Sequence, residues 1–273
     1  MNSRDLHFMK IRLFDAFGNS LIIKRVLIFV FGCIGFYRFN IANKTKVSGT
    51  KFLKNLPDTN VLFVSNHQTY FADVTGLYQV FCSVKWGVHN RIDKARYLLN
   101  PRLNIYFVAA QETMKAGILP KLFAYVGSVS IKRSWRQAGK EVDRGVDPRD
   151  IAKIYKALNS GWVITFPQGT TTPFVPGRRG TAHIIKETQP IVIPVVIDGF
   201  RSAFDTKGLY MKKKGVNLSI NFKEPLKIDY ANQSSSEILE QIMHSIEQTD
   251  DFNTVKKLKD NHKTPNQTSP SNV

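Results

Sequence analysis

Residues 61–73 read VLFVSNHQTYFAD, an uninterrupted apolar run that ends in a polar stretch carrying His67 and, six positions on, Asp73. An apolar run this short, closed by turn-forming residues, marks a strand buried on both faces. Similar runs stand at 105–109, 128–131, 162–166, 191–197 and 218–222. Helical patterns fill several of the gaps, at 74–82, 148–158 and 180–188. A last helix is expected over 235–248, where Ser234, Ser235 and Ser236 are N-cap candidates and Ile238, Leu239, Ile242 and Ile246 form one apolar stripe. Strands alternating with helices imply an α/β fold whose mostly parallel or mixed sheet is covered by helices. Pro194 interrupts the 191–197 run and is expected at a bulge or an edge.

The 273 residues are 42% hydrophobic and 11% aromatic, enough for a buried core and too apolar for a disordered chain. The two cysteines, Cys33 and Cys82, lie in apolar runs, so neither a disulfide framework nor a cysteine-based metal site is indicated. The chain holds 39 Lys and Arg against 21 Asp and Glu, a formal charge of +18. Such a surplus calls for an anionic partner: nucleic acid, an acidic membrane surface or a phosphorylated substrate.

Residues 26–37 read VLIFVFGCIGFY, twelve positions without a charge, bracketed by Lys24, Arg25 and Arg38. That is too short for a spanning helix, which needs about 20 apolar residues. Two readings remain: a buried core helix, or a segment that dips into one leaflet with its flanking cations reaching the phosphate level. The ten Lys and Arg against three Asp in residues 1–60 suit an anionic leaflet. The expected organisation is a membrane-contacting helical segment over 1–45, an α/β domain over 46–250 and a polar, disordered tail over 251–273. The protein is expected on the cytoplasmic face of a membrane, monotopic or peripheral.

His67 stands at the carboxyl end of its strand, where open α/β sheets hold their ligands. Imidazole has the unperturbed pKa for proton removal near neutrality, and a carboxylate on its far nitrogen would fix the tautomer. Six residues apart on one helix, the two side chains would point about 240° apart. The pair therefore requires His67 in the loop and Asp73 in the helix that follows; otherwise Asp73 is a helix cap and His67 a loop residue. The 162–166 run ends in Pro167-Gln168-Gly169-Thr170-Thr171-Thr172, followed by Arg178 and Arg179 ahead of a helix. Gly169 and the hydroxyl run allow N–H and O–H groups to converge on an anion or oxyanion, and the helix N-terminus adds to the same field. A turn with solvated arginines is the alternative. Gly127-Ser128-Val129-Ser130-Ile131 finishes in Lys132 and Arg133.

These blocks, together with Pro190-Ile191-Val192-Ile193-Pro194-Val195, resemble in order and separation the glycerolipid acyltransferase family, which makes phosphatidic acid from lysophosphatidic acid. That family carries Asn-His-x-x-x-x-Asp, Gly…Ile-Asp-Arg, Phe-Pro-Glu-Gly-Thr-Arg-Ser and Val-Pro-Ile-Val-Pro-Val blocks, and the likeness covers roughly residues 61–199. The resemblance implies O-acyl transfer to a lysolipid hydroxyl with no metal and no cofactor, acyl-CoA or acyl-carrier protein serving as co-substrate. His67 would be the general base and Asp73 its partner. Arg133, Gln168, Gly169, Thr170, Thr171, Arg178 and Arg179 would bind acceptor or donor.

Three departures stand out. Five residues separate His67 from Asp73 where the family has four, Gln168 replaces a glutamate, and Thr171 replaces an arginine expected on the acceptor's phosphate. A hydroxyl does not replace a bidentate guanidinium. Either Arg133, Arg178 or Arg179 takes the phosphate, or the head group differs, as in a lyso-aminoacid lipid of the ornithine or glycine type. The altered block also admits a relative that binds anionic lipid without catalysis. Nucleic acid is not expected as a partner: Trp135 among Lys132, Arg133 and Arg136 is the only place where an aromatic is interleaved with cations. Phe107, Phe123 and Tyr125 are expected in the core, and Lys212, Lys213 and Lys214 in a solvated turn.

Overall fold

The computed structural model describes residues 13–115, 117–132, 136–137, 140–141 and 147–254. Helix α1 (Leu21–Phe36) passes through a π-helical turn (Tyr37–Ile41) into β1 (Lys44–Ser48). There follow β2 (Val61–Ser65), α2 (Ala72–Lys85), β3 (Ile105–Ala110), α3 (Gln111–Lys115), α4 (Ile118–Tyr125) and β4 (Ser128–Ile131). Two short strands, β5 (Arg136–Gln137) and β6 (Lys140–Glu141), pair with each other. The chain continues through α5 (Pro148–Leu158), β7 (Trp162–Thr165), α6 (Arg179–Thr188), β8 (Ile191–Asp198), α7 (Phe200–Ala203), β9 (Asn217–Phe222) and α8 (Ser235–Ser245).

Seven strands form one sheet in the order β1-β9-β8-β2-β7-β3-β4. Only β8 and β9 run antiparallel; every other neighbouring pair is parallel. Successive side chains on a strand point to opposite faces, and the core divides accordingly. Val61 and Phe63 of β2, Trp162 and Ile164 of β7, and Ile193, Val195 and Ile197 of β8 pack with α1 and α2. Leu62, Val64, Val163 and Val192 pack on the opposite face, against α5, α6 and α8. Two helix starts follow from local chemistry. Asp147 accepts the Arg149 amide ahead of Pro148, and Ser234 with Glu237 forms a reciprocal capping box, each worth about 1 kcal/mol.

All six expected strands are present, in a mixed sheet covered by helices as the alternation required. Strand β1 has no apolar run to announce it: KTKVS buries only Val47, because an edge strand needs one anchored side chain and a partner, here β9. A boundary at 46 cuts through this strand. The amphipathic α4 also lacks an apolar run of strand or helix length. At the other end, residues 250–254 are helical, and 255–273 lie outside the described residues.

Pro194 corrects its expectation. It lies in β8, an interior strand with unbroken register against β2, and so at neither an edge nor a bulge. The missing N–H is tolerated because it falls where pairing with β9 ends: Val195 and Phe222 are the last registered pair, and the Pro194 carbonyl accepts the Lys223 amide at 2.9 Å.

The N-terminal segment forms a helix whose inner face is Lys24, Ile28, Gly32 and Gly35. The glycines allow close approach: a Cβ on Gly35 would stand 2.5 Å from the Gln79 amide and 2.9 Å from the Thr75 methyl on α2. No helix among the described residues is long and apolar enough to cross a membrane. Two of the three bracketing cations do not reach outward. Lys24 is fully buried, donating to the Ile105 carbonyl at 3.0 Å and facing Asp15 at 3.8 Å. Arg38 lies over the Phe204 ring and donates to the Gly208 carbonyl. Only Arg25 is exposed. Amphipathic cations extend wherever an acceptor is nearest, and for these two it is the protein.

Burial lowers the Lys24 pKa to about 8, against the opposing pull of Asp15. With the native value depressed, the unfolded chain holds more protons between pH 8 and 10.5, so stability rises with pH across that window. The gain is about 3 kcal/mol at most, from 1.36 kcal/mol per unit. Denaturant titrations from pH 7.5 to 11 are expected to show this rise in the wild type and its loss in Lys24→Met.

Candidate active site

At the end of β2 the Asn66 side chain donates to the Ile197 carbonyl and accepts the Ile197 amide, each at 2.8 Å. This bridge carries the sheet one residue past the strand and sets the direction in which His67 leaves it. Asp73 enters in the first turn of α2 and turns back toward the loop. Its Oδ2 accepts His67 Nδ1 at 2.9 Å, the Gln68 amide at 2.6 Å and the Thr69 amide at 3.0 Å. Its Oδ1 accepts the Thr69 hydroxyl at 2.8 Å. The Asp73 side chain is 0% exposed and that of His67 11%. An ionised carboxylate only accepts, so the proton between them belongs to Nδ1. Nε2 is left with no protein partner among the described residues, and the ring is stacked on Phe166 with centroids 3.8 Å apart.

The histidine loop is braced by a turn that carries no catalytic motif. The Tyr70 and Phe71 amides donate to the carbonyls of Thr206 and Lys207, each at 3.0 Å. Gly208, at φ +73°, lies so close that a Cβ would stand 2.6 Å from the Ala72 amide nitrogen. Asp205 accepts the Leu209 and Tyr210 amides. The signal was present as an Asp205-Thr206-Lys207-Gly208 turn pattern, but nothing local ties it to a loop more than a hundred residues upstream.

Beyond β7 the chain turns at Gly169, φ +64°, whose amide donates to the Phe166 carbonyl at 2.9 Å. That amide is therefore committed within the turn and not open to an anion. The Thr170 and Thr171 amides have no acceptor among the described residues, while the Thr170 hydroxyl bonds Thr172. Gln168 is 1% exposed and points into the protein. Its Nε2 donates to the Val175 carbonyl at 3.0 Å and to Gln248 Oε1 at 3.3 Å, an oxygen that also accepts the Phe174 amide. The Arg178 amide donates to the Pro167 carbonyl at 2.8 Å and places α6 over the same end of the sheet.

A cavity of about 150 Å³ opens at these strand ends. His67, Tyr70, Phe166, Gly169 and Arg178 line it, with Gly180 and Thr181 from the start of α6. Its apolar wall includes Val74, Phe107, Met114 and Ile154. Gln168, Thr170, Thr171 and Arg179 are not in the lining, and Arg133 and Trp135 lie outside the described residues. Phe107 and Phe123 are buried as expected, although Phe107 also faces the cavity. Tyr125 is not in the core: it is 48% exposed on the outer face of α4. Lys212, Lys213 and Lys214 are exposed.

Gln168→Glu would set an acceptor-only carboxylate against two acceptors in a buried site. Thermal or denaturant unfolding is expected to show a loss of about 1–3 kcal/mol near neutral pH.

The sequence model of the family described as Acyltransferase matches residues 44–198, more than half of the chain. No curated protein gives a significant sequence match. Among solved structures, the fold is similar to that of the 1-acyl-sn-glycerophosphate acyltransferase PlsC from Thermotoga maritima, at 20% identity and a TM-score of 0.53. The likeness covers 86% of this chain and 79% of that one. The matched span contains the histidine loop, the Asp73 helix and the turn after β7, so the chain belongs to the acyltransferase family.

Proposed function

We propose that this protein is a membrane-associated O-acyltransferase that moves an acyl group from a thioester donor, acyl-CoA or acyl-carrier protein, to the hydroxyl of a lysophospholipid. The observation that carries this reading is the His67–Asp73 pair, 2.9 Å apart, with the remaining ring nitrogen left for substrate. Nε2 takes the proton of the acceptor hydroxyl as its oxygen attacks the thioester carbonyl carbon. Negative charge collects on the carbonyl oxygen, for which the positive start of α6, whose Gly180 and Thr181 line the cavity, supplies stabilisation. The C–S bond then breaks, and the imidazolium returns its proton to the leaving thiolate. The buried Asp73 steadies the imidazolium in between, and the Phe166 ring keeps the imidazole in plane. The apolar cavity wall suits an acyl chain.

Membrane association rests on the outer face of α1. Ile22, Ile23, Val26, Phe29, Val30 and Ile34 are exposed there, with Ile118, Leu122 and Tyr125 of α4 exposed as well. A soluble surface seldom carries so continuous an apolar patch, and a leaflet covers it without a partner protein.

Incubating the protein with labelled acyl-CoA or acyl-carrier protein and a panel of lysolipids is expected to yield a diacyl product identifiable by mass; no product with any acceptor would overturn the reading. His67→Ala should lower kcat by about 10²–10⁴ while costing only about 1 kcal/mol of stability, because the Gln68 and Thr69 amides still satisfy Asp73 Oδ2. Asp73→Ala should lower activity comparably and also stability, by about 1–3 kcal/mol, because the Gln68 and Thr69 amides lose their acceptor. The double variant Phe29→Glu/Ile34→Glu should lose cosedimentation with anionic vesicles while melting as the wild type does.

A further inference from the structure

Arg201 belongs to none of the sequence motifs, yet it contacts both the histidine loop and the turn after β7. It lies in α7, just past β8, and its backbone amide donates to Gln68 Oε1 at 3.0 Å. Gln68 is the residue after His67, and its own Nε2 is held by Asp198 Oδ1 at 3.1 Å. The Arg201 side chain runs to the Thr171 carbonyl in the turn after β7. Gln68 follows β2 and Thr171 follows β7, neighbouring strands of the sheet, so the backbone and guanidinium contacts of Arg201 bridge the ends of two adjacent strands. His67, the residue before Gln68 on the same loop, leans onto Phe166 at the end of β7.

We propose that Arg201 holds the anionic head group of the acceptor lipid, a phosphate or a carboxylate, while the acceptor's hydroxyl reaches His67. This deepens the lysolipid reading and rests on it. A guanidinium offers five N–H donors in a planar fork. The Thr171 carbonyl engages one of its nitrogens, and no carboxylate pairs with it among the described residues. The remaining donors fit the two oxygens of a phosphate or carboxylate. The geometry also gives Thr171 a use: its carbonyl steers a cation that arrives from another strand. In a lysolipid the anion and the free hydroxyl are separated by only a few bonds, which matches a cation positioned beside the histidine loop.

The test compares wild type, Arg201→Gln and Arg201→Lys on 1-acylglycerol 3-phosphate, on a carboxylate-bearing lyso-aminoacid lipid and on neutral 1-acylglycerol. Steady-state kinetics are paired with donor-free binding in mixed micelles. Arg201→Gln is expected to raise KM for the preferred anionic acceptor by about 10- to 100-fold, the range for losing charged hydrogen bonds, with kcat changed less than about threefold. Its KM for neutral 1-acylglycerol should not move, and Arg201→Lys should fall between. Dependence on Arg201 confined to the phosphate or to the carboxylate acceptor supports the proposal and identifies the anion. Equal losses on charged and neutral acceptors, or no change on any, overturn it. If the wild type transfers to no lysolipid, the lysolipid reading fails separately, and the binding arm decides: equal retention of both anionic lipids by wild type and Arg201→Gln overturns the assignment.

Discussion

A buried carboxylate organises this protein. Asp73 is removed from solvent, and such a group is tolerable only when its oxygens are satisfied. Four donors converge on it: one imidazole nitrogen, two successive backbone amides and a hydroxyl. Meeting that demand folds the segment between β2 and α2 into a single shape. The extra residue relative to the family pattern is absorbed in this loop, because Gln68 and Thr69 turn their amides inward. The same wrapping fixes the imidazole, so the constraint that stabilises the loop also sets the tautomer used for chemistry.

The loop is held from outside as well. The Thr206 and Lys207 carbonyls receive its amides, Gly208 fits against Ala72, and Arg38 reaches the Gly208 carbonyl from the π-helical end of the N-terminal segment. Hydrogen bonds linked by short stretches of backbone therefore join the π-helical end of the N-terminal segment to the histidine loop. Rigid support of this kind is what a general base requires, since proton transfer depends on positioning within hydrogen-bond reach. The charge surplus reads differently in this light. Several cations serve the fold rather than an anion: Lys24 is buried at the end of β3, Arg38 ties the brace, and Arg102 lies 3.7 Å over the Trp162 ring.

The departures from the family pattern also acquire physical meaning. At position 168 a glutamine amide faces two acceptors, a setting that an ionised glutamate would not fit. At position 171 the protein uses a backbone carbonyl, not a side chain, and its neighbour there is Arg201. Local sequence could not reveal either arrangement, because the partners lie at 248 and 201, on separate elements.

The sequence by itself determined the buried strands, the α/β class, the helix over 148–158, the helix start at Ser234, and the nomination of His67 and Asp73. These properties are local: apolar runs, capping chemistry and spacing are written in consecutive residues. Edge strand β1, the interior placement of Pro194, the burial of Lys24, the turn that braces the histidine loop and the reach of Arg201 were decided by the tertiary structure. Each depends on which strands become neighbours. That outcome arises from packing two faces of a sheet at once, and no single stretch of chain carries it.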